Sequence, residues 1–302
     1  MSEQISTVGQ YFERLSSAFA GSDPAMAQDA IYDAQEFLAG ERATLAADGG
    51  NAEDESELVS RLINRFGQPS EVVDNYRTTE ARVAAALAPP ESPPARSLTG
   101  RIFGVFADPR SYGALFYMFF SLPLGVIYFT WAVTGLSLSA GLAVLIFGVV
   151  FFLFFISTVR AVALVECRII ETLLGERMPR RPQVVMPQGR LWDRLKFWLT
   201  DQRTWLTIFY MLLCLPLGII YFTIATVALS LTLSFIVAPF VQLFVDYPII
   251  QVFDKHYYLP FWSFPLFWLG GASMLLALMH LARGIGHLHA SLAKSMLVKP
   301  GA

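Results

Sequence analysis

The sequence predicts an all-α protein in two parts: a small soluble helical domain, then a polytopic membrane domain of two repeated transmembrane hairpins, four spanning helices in all. Three observations carry this. Asp108–Leu138, DPRSYGALFYMFFSLPLGVIYFTWAVTGLSL, returns without a gap 93 residues later as Asp201–Leu231, DQRTWLTIFYMLLCLPLGIIYFTIATVALSL, and an internal repeat sets the architecture. Residues 111–159 and 204–245 contain no Asp, Glu, Lys or Arg, and each run exceeds the ~20 residues that cross a bilayer as a helix. The chain is 55% hydrophobic and 15% charged, too apolar for an ordinary soluble domain, yet residues 1–100 read as an acidic soluble segment.

Taken in order, residues 5–20 form a short helix with Val8, Tyr11, Phe12, Leu15 and Phe19 at helical spacing. Ser22-Asp23-Pro24 starts a second, with proline in its first turn, running to about Ala47. After the Asp48–Asn51 turn a third covers about Asp54–Phe66 and stops at Gly67, as helices do at glycine. Ser70 is placed to cap a fourth, which carries Val72, Val73, Tyr76 and Val83.

Tyr11 and Leu15 in the opening helix, the acidic second helix, and the block R-L-x-x-R-F-G-Q-P-S-E-V-V-x-x-Y (Arg61, Leu62, Phe66, Gly67, Pro69, Glu71, Val72, Val73, Tyr76) resemble the small helical HAAS signalling domain over about residues 8–80. The resemblance implies a cytoplasmic interaction module over 1–87, with Phe66, Gly67, Pro69 and Tyr76 as candidate partner-binding residues and a PadR-type regulator as a candidate partner. Residues 88–100, with four prolines, form an extended linker to the membrane part.

The first hairpin occupies 101–200. Tyr112–Val133 spans, with Pro123 and Gly125 expected to kink it. Leu136–Val159 returns. Arg160–Gly175 alternates charged and apolar residues and reads as an amphipathic helix along the membrane surface. Leu191–Leu199 reads as a second interfacial helix, with Trp192 and Trp198 at headgroup level. The second hairpin, 201–302, opens with a helix ending near Val227 and kinked at Pro216 and Gly218. Its tail echoes the first copy with Arg283 opposite Arg160, an offset of 123, so about thirty residues are inserted, over about 235–263. Phe264–Ala282 is the last span.

Lys and Arg crowd before the first helix, in the central loop and after the last helix, so four spans place both termini and the central loop in the cytoplasm, with the two repeats parallel. A rival count makes Leu231–Phe253 a fifth span. Met1–Gln10 has no apolar signal segment, so the first span serves as the insertion signal of a multi-pass protein of the bacterial inner membrane.

Leu122-Pro123-Leu124-Gly125, Tyr128-Phe129, Leu215-Pro216-Leu217-Gly218 and Tyr221-Phe222, duplicated with their tails, resemble the sensor membrane domain of actinobacterial signalling proteins over about residues 100–297. In relatives that domain often precedes a histidine kinase. None lies within residues 1–302, so autophosphorylation is not carried over.

Chemistry is sparse. No GxxxxGK[ST], GxGxxG after a strand, HExxH or GxSxG occurs. Cys167 and Cys214 read as unpaired thiols, and His280, His287 and His289 as interfacial histidines without an acidic co-ligand. Asp246 is the one carboxylate placed to reach mid-membrane, which disfavours an ion pathway. The sequence therefore predicts no enzyme, cofactor, metal or direct nucleic-acid contact. It predicts a membrane sensor that couples an envelope or lipid-soluble cue to a cytoplasmic partner, with membrane lipids around it and an oligomer open. A lipid or small-molecule carrier, or a non-catalytic subunit of a membrane complex, is the alternative. Candidate sensing residues lie in the insertion, where a function can be added without disturbing the scaffold: Asp246, Asp254, His256, Tyr257, Tyr258 and Trp262. Aromatic rings beside polar groups can line a pocket, though they equally anchor a loop at the interface.

Overall fold

The computed structural model describes residues 5–47, 54–87, 102–142, 146–181, 191–245, 248, 250–252 and 255–298. The Asp48–Asn51 turn and the 88–100 linker lie outside them.

Four helices build the N-terminal domain: α1 (Val8–Ala18), α2 (Pro24–Ala47), α3 (Glu55–Arg61), extended by one wide π turn (Leu62–Phe66), and α4 (Pro69–Leu87). Short polar side chains start the first three. Thr7 accepts from the Gln10 amide, Asp23 from that of Ala25, and Asp54 from those of Ser56 and Glu57, covering N–H groups that a first helical turn leaves open. Ser70 is not the cap of α4. The helix begins at Pro69, and Glu71 reaches back to accept from the Gln68 amide at 3.0 Å. Gly67 turns the corner at φ +115°, a conformation L side chains rarely adopt, and its carbonyl accepts from the buried Tyr11 hydroxyl at 2.8 Å. Tyr11, Leu15, Phe19, Ala30, Ala34, Leu62, Val72 and Val73 make the core.

The remaining helices are α5 (Pro109–Leu142), α6 (Ile146–Leu174), α7 (Leu191–Thr200), α8 (Gln202–Val245) and α9 (Phe264–Leu297). Among the described residues four helices are long and apolar enough to cross a membrane: Pro109–Leu142, Gly148–Leu174, Gln202–Val245 and Phe261–Leu297. The repeated D-x-R opening proves to be a helix cap: Asp108 accepts from the Arg110 amide, and Asp201 from the amides of Arg203 and Thr204.

Several expected boundaries move. Arg160–Gly175 is no separate surface helix. It continues α6, because no breaker separates it from the apolar run and its charged residues find partners inside the protein. Trp198 is buried rather than at headgroup level and lies under the Arg160 guanidinium, 3.6 Å from ring centroid to Cζ; the Trp192 side chain is outside the described set. Part of the extra length of the second copy goes into helix. α8 has 44 residues against 34 in α5, so Leu231–Val245 is its continuation and not a fifth span. Beyond it, among the described residues, a small hairpin forms: β1 (Ile250–Val252) pairs antiparallel with β2 (Lys255–Tyr257), Gln251 opposite His256.

The two repeats do not lie side by side in one direction. A Cβ on Gly125 would meet Cys214 and Leu215, one on Gly218 would meet Ser121 and Leu122, and the Phe119 ring touches Phe222. As α5 rises the contact on α8 falls, so the helices pass each other antiparallel. α6 runs with α8 (Arg160 to Asp201, Glu166 to Tyr210), and α9 with α5 (Arg283 to Asp108, His289 to Tyr117).

Candidate functional site

Both return helices bring one ionisable side chain to the α5–α8 crossing. Glu166 on α6 is 1% exposed and His289 on α9 is 2% exposed. Glu166 Oε1 accepts from the hydroxyls of Tyr117 at 2.7 Å and Tyr210 at 3.1 Å, and Oε2 from Tyr128 at 2.8 Å. His289 Nε2 lies 2.6 Å from the Tyr117 hydroxyl and 3.0 Å from that of Tyr210, with 3.9 Å to Glu166 Oε1. The Tyr221 ring packs edge-on against the imidazole, centroids 5.6 Å apart. With both hydroxyls donating to the carboxylate, their oxygens are left to accept from Nε2–H. Nδ1 has no hydrogen-bond partner among the described residues. Beside the cluster is a small cavity bordered by Gly125, Gly218, Leu124 and Leu217, with room for about one water.

The members correspond in pairs. Tyr117 and Tyr210, Tyr128 and Tyr221, and Gly125 and Gly218 each stand 93 residues apart; Glu166 and His289 stand 123 apart, like Arg160 and Arg283. Two ion pairs flank the cluster crosswise, Arg160 with Asp201 at 3.1 Å and Arg283 with Asp108 at 3.3 Å, each joining the return helix of one copy to the start of the other.

The same return helices hold the N-terminal domain. After Gly175 (φ +73°) ends α6, the chain leaves the helix and lays Arg177–Arg181 against α2. Asp29, 4% exposed, accepts through Oδ1 from the backbone amides of Arg180 at 2.7 Å and Arg181 at 2.8 Å, and through Oδ2 from the Arg177 guanidinium at 3.1 Å. Burial pushes its carboxyl above the usual aspartate value, against the pull of these donors. Arg177 also pairs with Glu80, and Arg181 with Asp33 at 2.8 Å. On α9, Lys294 pairs with Asp23 at 2.7 Å. Met178 is fully buried and shares a core with Ala25 of α2.

The expected site residues scatter. Gly125 and Gly218 line the crossing and its cavity; Pro123 and Pro216 lie inside unbroken helices. Tyr257, Tyr258 and Trp262 are exposed at the tip of the second hairpin. His256 sits in β2, its side chain outside the described set, as are Asp246 and Asp254 altogether. In the N-terminal domain Phe66 packs on Phe37, and Pro69 is buried. Tyr76 donates to Asp33 at 2.5 Å, the carboxylate that pairs with Arg181. Glu166 and His289 were missed, although the alignment that sets Arg283 opposite Arg160 also sets His289 opposite Glu166.

Four long apolar helices around a buried polar cluster define a polytopic α-helical membrane protein. Within that class, the Sensor family model, described as "Putative sensor", matches residues 117–297. The chain belongs to this family. The match runs from within α5 to the end of α9 and so contains Glu166, His289 and the tyrosines Tyr117, Tyr128, Tyr210 and Tyr221. No curated protein and no solved structure matches it.

Proposed function

We propose that the protein is a bacterial inner-membrane sensor in which the Glu166–His289 cluster is the receiving element and the N-terminal domain, HAAS-like by its sequence, is the output toward a cytoplasmic regulator. One observation carries this: the helices that meet at the cluster are the helices that hold the domain. Glu166 lies eight residues before the end of α6, and His289 five before Lys294, roughly 12 and 8 Å along a helix. A rearrangement of the cluster shifts α6 against α9 and with them both attachments to α2. Coupling of this kind needs a packed element with two arrangements that both sites bias. A cavity with room for about one water favours a bonded polar unit over a lipid-carrying pocket. Because α2 touches the ends of both α6 and α9, those basic ends share its side, and the Lys/Arg bias supports a cytoplasmic location for it. The action proposed is transmission, not catalysis.

The test is hydrogen exchange on the full-length protein in nanodiscs, comparing wild type with Glu166→Gln and His289→Gln. Exchange at residues 24–33 and 175–181 should change in both variants, while α3, in the same domain but away from the attachment, stays at its wild-type rate. Inserted variants with unaltered exchange at the attachment would refute the coupling.

A further inference from the structure

The N-terminal domain grips Arg177–Arg181 as a receptor grips a peptide. The segment is not helical, and α2 reads its main chain and its side chains together. Neighbouring residues of α2 bracket one residue of the segment: Asp29 accepts from the Arg181 amide, and the Gln28 side chain donates to the Arg181 carbonyl at 3.4 Å. The arginine heads are then sorted, Arg181 to Asp33 on α2 and Arg177 between Asp29 on α2 and Glu80 on α4. Met178 is driven into the apolar floor between the two domains. Main-chain hydrogen bonds give such recognition its affinity, and side-chain pockets its selectivity. An acidic surface that merely met a basic loop would not place a 4%-exposed carboxylate on two successive amides.

We infer that the α2–α4 face is a binding site for an extended, arginine-bearing peptide, that Arg177–Arg181 is its built-in occupant, and that a partner protein engages the sensor by presenting such a segment in its place. The inference rests on the output half of the reading above and names the chemistry of the partner. The partner's segment needs two arginines four residues apart with an apolar residue after the first, since that is what the site now holds. Release of the built-in segment, by movement of α6, would open the face; while it is held, the face is closed.

The experiment uses the full-length protein in nanodiscs at physiological salt and a fluorescent peptide with the sequence of residues 175–182, followed by anisotropy. Two hosts vacate the site, one with Arg177→Ala and Arg181→Ala, the other with residues 177–181 replaced by Gly and Ser. Hydrogen exchange in α3 verifies that the domain stays folded in each. The peptide should bind whichever host is folded at least tenfold tighter than it binds wild type. Adding Asp29→Ala should abolish that binding, and a peptide with both arginines changed to glutamate should not bind. Equal binding to wild type and hosts, no binding to a folded host, or binding indifferent to Asp29→Ala would overturn the inference. Such a failure is separable from failure of the coupling, which is read from exchange in a chain whose own segment is intact.

Discussion

The α5–α8 crossing makes a quantitative demand on two glycines. A Cβ at Gly125 would stand 2.5 Å from the Cys214 carbonyl oxygen and 2.9 Å from the Leu215 Cα; at Gly218 it would stand 2.5 Å from the Ser121 oxygen and 3.1 Å from the Leu122 Cα. All four obstacles are backbone atoms of a helix, so no rotamer change relieves them. An ordinary contact requires the helices to part by nearly ~1 Å, and a gap of that size forfeits a quarter to a half of the dispersion well at each atom pair along the seam. Overpacking of this kind costs about 1–3 kcal/mol, sometimes more. Gly284, exposed on α9 with nothing within 4 Å of an added Cβ, is the counterpart. There alanine removes a helix-weakening glycine and gains up to ~1 kcal/mol. Full-length Gly125→Ala and Gly218→Ala should therefore lose thermal stability in detergent by similar amounts, and Gly284→Ala should lose none. The double variant should lose less than the sum, because the first substitution has already opened the seam for the second. If Gly125→Ala melts with Gly284→Ala, the close crossing is refuted.

The two crosswise ion pairs should differ in weight. Arg160 and Asp201 are 18% and 17% exposed, with Trp198 over the guanidinium, whereas Arg283 is 57% exposed. Arg160→Ala should cost about 1–3 kcal/mol, as the loss of a charge-assisted, part-buried bond and its packing on Trp198, and Arg283→Ala at most ~1 kcal/mol; equal melting shifts would contradict the burial argument. In the N-terminal domain, hydrogen bonds from Arg61 and then Arg65 hold the Glu41 carboxyl below its usual value. A lowered folded value means stability that is complete above the ordinary glutamate range, near pH 4.5, and is lost as pH falls through the lowered value. Exchange in α3 of the intact protein should stay protected down to about pH 4.5 and then rise, and Glu41→Gln should remove that part of the acid dependence.

Much of this fold was legible because it is written in features that need no partner. Uncharged runs mark spans, and caps such as Asp23 and Asp54 mark helix starts within one or two residues. The site was not legible, because an amphipathic stretch shows that one face is polar without showing what that face meets. Arg160, Glu166 and Arg168 looked like a solvated stripe. Glu166 faces three tyrosines from two other helices, and Arg168 faces Glu171 at the surface. The insertion was legible only in part, for a related reason. Its length showed that residues were added without showing their form: α8 has 44 residues against 34 in α5 and runs on through Pro239 without a stop signal.

The antiparallel crossing and the attachment of the N-terminal domain together fix how the hairpins lean. If α5 and α8 stood along the bilayer normal, their opposed directions would put Asp108 and Asp201 on opposite membrane faces. Yet the Asp108 end of α5 lies beside the end of α6, where Gly113 abuts Leu173, and the Asp201 end of α8 lies beside the end of α9, where Arg203 donates to the Val298 carbonyl. Those two ends both reach α2, through Arg177 to Asp29 and Lys294 to Asp23, sites six residues apart and so only about 9 Å along one helix. Asp108 and Asp201 are therefore on one side, and opposed helices that start on one side must be inclined. Their lengths agree. The 34 residues of α5 span about 51 Å against about 30 Å of hydrocarbon, and a rod of that length lying wholly within the layer leans by about 50°. Spin labels at the exposed positions Phe116, Phe120, Ile127 and Val133 report depth along α5. Depth should change by about 1 Å per residue, whereas the usual tilt of about 20° gives about 1.4 Å; the steeper slope would show that the helices stand upright and that the crossing or the shared side is wrong.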